Sequence, residues 1–251
     1  MERAFEGCTA LHTVYLSGSI EKIGLFAFRN CKKLKNVYYS ADLEARKKIT
    51  VSSRENSELL TCYWHYNFKR FRDIASNSPF EAAINWAREN GITGGINKEG
   101  TLFGPDEYCT RGQIVTFLWR AAGSPSPDWE STGFTDVSST SPFKGAIIWA
   151  VRKQITNGMT DTLFGVNEPC TRGQAVTFLY RYAGEPGIGS IYHFDDVDQY
   201  AFYSLAVNWA ATHGITSGTS ATTFSPDAPC TRAQIVTFLY RFNQVKDRWG
   251  M

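Results

Sequence analysis

One segment of this chain occurs three times, and that repetition limits the fold more than any other feature. The first copy reads FRDIASNSPFEAAINWARENGITGG and then LFGPDEYCTRGQIVTFLWRAAG. The second reads FTDVSSTSPFKGAIIWAVRKQITNG and then LFGVNEPCTRGQAVTFLYRYAG. The third reads FDDVDQYAFYSLAVNWAATHGITSG and then TFSPDAPCTRAQIVTFLYRF. Repeats of this kind each hold one supersecondary unit that cannot bury its apolar face alone, so the copies must pack on one another. The spacings are tight. Asp73 to Trp86, Asp136 to Trp149 and Asp196 to Trp209 are each 13 residues, and Trp86 to Gly95, Trp149 to Gly158 and Trp209 to Gly218 are each 9. From those glycines to Arg111, Arg172 and Arg232 the gaps are 16, 14 and 14. The two additional residues of the first copy fall around Asn97–Gly100, in a segment that must be a loop, because loops absorb insertions and helices do not.

Each copy reads as helix, loop, helix. In the first, Phe80, Ala83, Ile84 and Ala87 share one helical face. Gly91 and the Gly94–Gly95 pair end that helix. Phe103 and Pro105 mark the connection. Thr110 with Gln113 forms a capping box that opens the second helix, and Thr171 with Gln174 and Thr231 with Gln234 repeat it. The second helix is apolar on more than one side, with Ile114, Phe117, Leu118 and Ala121 in one stripe and Val115 and Trp119 off it; such helices are buried. The expected fold is therefore mainly α. Three helix-loop-helix lobes surround a pseudo-threefold axis, their second helices form a central three-helix bundle, and their amphipathic first helices lie outside. The repeats are expected at 67–124, 130–186 and 190–245, joined by short Gly- and Pro-rich crossovers.

A shorter repeat fills the first 40 residues. AFEGCTALHTVYL and AFRNCKKLKNVYY align at 23 residues, matching Ala4 to Ala27, Phe5 to Phe28, Cys8 to Cys31, Leu11 to Leu34 and Val14 to Val37. Residues 1–66 are expected to be a short β-rich stack with a closing cap. The chain begins inside a repeat, which reads as a fragment cut from a longer array, its export signal lost with the missing part.

Composition excludes several classes. No apolar run reaches the roughly 20 residues of a membrane span. Net charge is +2, with 10 Lys/Arg against 7 Asp/Glu in residues 1–66 and 16 against 17 in the remainder, so neither part has the basic excess of a nucleic-acid binder. The six cysteines do not suggest pairing: Cys109, Cys170 and Cys230 recur 61 and 60 residues apart, as Cys8 and Cys31 do at 23. Cysteines at equivalent repeat positions suit buried ladders of small apolar side chains; a three-thiolate metal site is the alternative for the first trio. His12, His65, His193 and His213 have no metal-ligand spacing, and no nucleophile, phosphate-loop or metalloprotease motif occurs. No enzymatic activity, metal or cofactor is expected.

The Phe-x-Asp-Val start, the Trp helix, the Gly-Ile-x-x-Gly loop and the Thr-Arg helix start together resemble S-layer homology domains, in three full copies over residues 71–242. Residues 1–66, with the closing segment VYYSADLEARKKITVSSRENSELLTCYWHYN, are similar to the end of a BspA-like leucine-rich-repeat array. The first resemblance implies a three-lobed, internally pseudo-trimeric monomer outside the cell. It would anchor in the wall of a Gram-positive-type bacterium by non-covalent binding of an anionic, pyruvylated secondary cell-wall polysaccharide, in grooves that use the motif arginine. Here those arginines are Arg111, Arg172 and Arg232. The usual motif glutamate is Gln113, Gln174 and Gln234, and its alanine is Gly112 and Gly173 in two copies. The leucine-rich part would face a protein or host surface. Two other readings remain at this level: a protein-interaction module without glycan binding, and the anchor of a larger wall-modifying enzyme.

The residue chemistry suits an acidic sugar. Arginines in the first turn of a helix add a carboxylate-matched fork to an end that already favours anions. Trp86, Trp149 and Trp209 are candidate sugar platforms or core residues. Gly95, Gly158 and Gly218 let backbone approach a ligand or merely make turns. Asp73, Asp136 and Asp196 belong to the candidate groove set, cap loops, or pair with the motif arginines.

Overall fold

The computed structural model describes residues 2–52, 56–75, 77–127, 131, 133–188 and 194–249. The chain forms two compact units, Met1–Arg70 and Phe71–Met251. The expected repeat starts at 130 and 190, and His193, lie outside the described residues.

In the first unit, β1 (Thr13–Leu16), β3 (Asn36–Tyr39) and β5 (Tyr63–His65) form a parallel sheet in that order, while β2 (Lys22–Ile23) pairs with β4 (Thr50–Val51). Thr13 faces Asn36, the 23-residue offset seen in the sequence. Equivalent rings therefore stack, Phe5 on Phe28 and Tyr15 on Tyr38, each pair 5.1 Å apart. Strand alternation sends Val14, Leu16, Val37 and Tyr39 inward against Ile23, Phe28 and Leu34. Cys31 is buried in this core and Cys8 is exposed. The buried Asn56 accepts the Phe28 N–H and donates to the carbonyls of Gly24 and Ser52, tying neighbouring coils together. Asp42 caps α1 (Leu43–Lys48) by accepting the Ala45 N–H. The unit runs past residue 66 because Phe68 packs on Tyr15 and Tyr38, and Arg70 stands 5.2 Å over the Tyr15 ring.

The second unit is helical: α2 (Glu81–Glu89), α3 (Arg111–Ala121), α4 (Lys144–Arg152), α5 (Arg172–Tyr182), α6 (Ser204–Thr212) and α7 (Arg232–Asn243). Both halves of all three capping boxes form. The second helices α3, α5 and α7 touch one another pairwise. The partner of each first helix differs from the expected lobe. α4 packs on α3, α6 on α5 and α2 on α7, so each helix pair draws on two copies and the third copy closes onto the first. Gly123 and Gly184, at φ +84° and +79°, end α3 and α5 in the left-handed conformation that glycine adopts without strain. Backbone bonds close the same ring: Cys170 N–H donates to Cys109 O (2.9 Å), Cys230 N–H to Cys170 O (2.8 Å) and Cys109 N–H to Cys230 O (2.9 Å).

This packing explains the motif glycines. A Cβ on Gly112 would lie 3.2 Å from the Phe143 ring, and one on Gly173 would lie 2.8 Å from Tyr203. Those aromatics open the following copy's first helix, and glycine leaves them room. The tryptophans are corrected as sugar platforms. Trp209 and Trp149 are buried in the core and Trp86 is half-buried, each tilted against a tyrosine of a second helix (Tyr180, Tyr182 and Tyr240).

Candidate functional site: three arginine clefts

The capping boxes place Arg111, Arg172 and Arg232 in the first turn of α3, α5 and α7. Each guanidinium then reaches into the loop of the next copy. Arg111 Nε donates to Phe164 O (3.0 Å), Arg172 Nε to Phe224 O (2.9 Å) and Arg232 Nε to Phe103 O (2.7 Å). Each also lies against two phenylalanine rings, such as Phe224 and Phe238 at 4.6 and 5.6 Å from Arg172. All three are buried, at 3–5% exposure. Burial lowers their pKa values, and a guanidinium still stays protonated.

The aspartates hold the other side of the same peptide. Asp136 accepts the N–H groups of Phe164, Gly165 and Val166. Asp73 accepts those of Phe103 and Gly104, and Asp196 those of Phe224 and Ser225. Arginine and aspartate therefore do not pair directly; they grip one loop segment from opposite sides, and the aspartates line none of the clefts described next. Burial raises the Asp136 pKa, but its backbone donors together outweigh that and bring it below the ordinary value of 3.8. A carboxyl with a depressed folded pKa contributes stability that is complete above its unfolded value and lost as pH falls through the folded one. Asp136→Asn should therefore melt lower than the parent at neutral pH. The gap should close below about pH 4, which thermal melts across pH 2–7 will read.

Gly95, Gly158 and Gly218 sit at φ +97°, +87° and +79°. A Cβ there would collide with Leu102 O, with Phe134 and with Thr223 O respectively. Turn geometry and close packing both require glycine, and each of the three also borders a cleft.

Beside each buried arginine lies one cleft built from all three copies. The Arg111 cleft measures about 390 Å³, the Arg172 cleft about 290 Å³ and the Arg232 cleft about 90 Å³. Each takes its motif arginine from one copy, its loop and second helix from the next, and an aromatic (Phe202, Phe80 or Phe143) from the third. Each also holds a second arginine that the sequence reading missed: Arg181, Arg241 and Arg120 respectively. The signal for it was present, since Arg120, Arg181 and Arg241 follow the motif arginine by nine residues in every copy. Their Nη1 groups donate to Ile92 O, Ile155 O and Ile215 O. Among the described residues, no lining side chain is acidic.

The clefts are unequal. Arg111 and Arg232 Nη2 donate to Thr156 and Thr93 Oγ1 at 3.4 and 3.3 Å, whereas Arg172 Nη2 is buried without an acceptor. Arg181 Nε is 3.9 Å from Glu185, while Arg241 has no carboxylate partner among the described residues. The Arg172 cleft thus combines two guanidiniums without a carboxylate partner among the described residues with one buried N–H that lacks an acceptor.

Cys109, Cys170 and Cys230 are buried free thiols, the first two pushed by burial to about 12 and the third raised well above its ordinary value. They stay protonated and inert. Among the described residues no group of His, Cys, Asp or Glu is placed to hold a metal, and no helix is long and apolar enough to cross a membrane.

A triplicated helical unit with arginine-lined clefts, preceded by a separate unit of parallel-strand coils, defines a repeat-built class of protein. The chain belongs to the S-layer homology domain family, which matches residues 70–115, 133–176 and 193–236. Residues 1–75 match the BspA type leucine-rich repeat region. A cell surface protein of Thermoanaerobacter kivui is 32% identical over 122 residues, covering 47% of this chain and 16% of that protein. A surface layer protein of Brevibacillus choshinensis is 32% identical over 94 residues, covering 36% and 8%. The chain thus spans only a small part of these relatives' length.

Proposed function

We propose that this chain anchors a protein at the bacterial cell surface by non-covalent binding of an anionic secondary cell-wall polysaccharide in the arginine clefts. The Arg172 cleft carries the reading. Two guanidiniums, one with an N–H that lacks an acceptor, border a space walled by Thr216, Ser217 and Thr219 and free of acidic side chains. Hydroxyls and backbone recognise sugar, and paired guanidiniums recognise a carboxylate such as a pyruvyl ketal. Membership of the S-layer homology family and the two surface-protein relatives support the location. The ring of packed helices supports a pseudo-threefold, internally trimeric monomer. The 23-residue strand register supports a leucine-rich solenoid in residues 1–70, for which we propose a role facing a protein or host surface. Catalysis is no part of this reading.

The full chain should co-sediment with purified wall sacculi from a Gram-positive-type bacterium. Binding should vanish when the wall polysaccharide is chemically stripped and weaken when only its pyruvyl groups are removed. Undiminished sedimentation with stripped sacculi would refute the proposal.

A further inference from the structure

We infer that the Arg111 cleft is a subsite of different chemistry from the Arg172 cleft, taking a sugar unit of the polysaccharide by its apolar ring face, with Phe202 as the specificity-determining side chain. The inference rests on the reading of the clefts as wall-glycan sites.

Phe202 borders this cleft together with Met159, Phe178, Asn157 and the two arginines. Phe202 is 64% exposed and Met159 55%. Neither is dictated by the repeat. The position of Phe202 is Pro79 and Pro142 in the other copies, and that of Met159 is Ile96 and Thr219. In the Arg172 cleft Thr219 supplies a hydroxyl where Met159 supplies an apolar surface. The Phe202 ring meets Tyr203 edge-on at 5.0 Å, and Tyr203 fills the space that the absent Cβ of Gly173 leaves. A large exposed ring beside a cleft offers an apolar platform.

Pyranose rings present an apolar C–H face with hydroxyls at the rim, which suits such a platform, and Asn157 and the arginines can take polar substituents. A cleft of about 390 Å³ admits a sugar unit. Its charge is partly offset, because Glu185 stands by Arg181. Binding here should therefore depend less on salt than binding in the Arg172 cleft.

The test uses the full chain and polysaccharide-bearing sacculi, at low and at high salt, with melting temperatures and solution oligomeric state measured in parallel. Phe202→Ala should weaken binding about fivefold to tenfold at both salts without a change in melting temperature. Phe202→Trp should restore binding, and Leu205→Ala, on the same exposed patch but outside the cleft, should match the parent. Parental binding by Phe202→Ala at both salts overturns the inference and leaves the anchoring function standing. A loss that tracks conversion of a dimer to a monomer also overturns it, assigning the Tyr200–Phe202–Leu205 patch to a second copy of the chain. Failure of the parent itself to bind refutes both readings.

Discussion

Replacing Arg172 by alanine should abolish most wall binding and lower thermal stability together, whereas Arg241→Ala should remove a comparable part of the binding with little loss of stability. The difference follows from where each guanidinium is anchored. Arg172 holds Phe224 O through Nε and packs on Phe224 and Phe238. Deleting it strands a buried carbonyl, a cost of about 1–3 kcal/mol, and leaves a void beside two rings. Arg241 is half-buried and makes one 3.4 Å bond to Ile215 O, so its removal leaves the joint between copies intact. Charge-assisted hydrogen bonds to a carboxylate contribute about 1.5–3 kcal/mol, so either change should weaken binding by about ten- to a hundredfold. Sedimentation at a temperature well below every melt separates binding from folding. Arg172→Lys sharpens the test, because a lysine keeps the charge but cannot hold the loop carbonyl and present a second edge to a ligand at once. It should recover part of the stability and little of the binding. Parental binding by both alanine variants would remove the electrostatic basis of the proposed function.

Much of this arrangement was legible in the sequence, for physical reasons that differ from residue to residue. The capping boxes are local: Thr110 and Gln113 meet because a helix start brings them together, whatever lies around it. The 23-residue strand register is likewise written in the spacing of Phe5 and Phe28. The helix partners were not legible. A repeat period says that copies pack, but the connection before a second helix and the one after it are of similar length, so nothing local tells α3 to take α4 rather than α2. The tryptophans were ambiguous because a large aromatic on an amphipathic helix serves a core and a sugar equally well, and only packing decides. The second arginines repeat as faithfully as the first but carry no motif, so their spacing alone marked them. Phe202 carried no signal at all: one more aromatic in a Tyr-rich stretch becomes informative only once its ring is seen against Tyr203 at the edge of a cleft.

Gly218→Ala should destabilise the helical unit by about 2–4 kcal/mol, the sum of a backbone cost of about 1 kcal/mol and an overpacking cost of about 1–3 kcal/mol. Gly218 sits at φ +79°, and a Cβ there would collide with Thr223 O, approach Phe194 to 2.6 Å and reach Ser220 O at 2.7 Å. None of these can retreat easily. Thr223 O accepts the Thr219 N–H at 2.7 Å, and Phe194 is buried against Phe224. The next peptide is the one gripped by Asp196 and Arg172, so a shifted loop loosens the joint between the second and third copies. Gly214→Ala is the matched control. It has a similar φ of +71° but nothing within 4 Å of its added Cβ, so it should incur the backbone cost alone. Denaturant titration of both variants isolates the packing contribution. Because the three copies close into a ring through the Cys109, Cys170 and Cys230 backbone bonds, damage at one joint weakens the packing of the neighbours on both sides. Gly218→Ala should therefore lower one shared unfolding midpoint for the whole helical unit rather than melt the third copy separately. A stability for Gly218→Ala equal to that of Gly214→Ala would mean that the loop yields without disturbing Phe194, and that the grip on the Phe224 peptide does not depend on the turn beneath it.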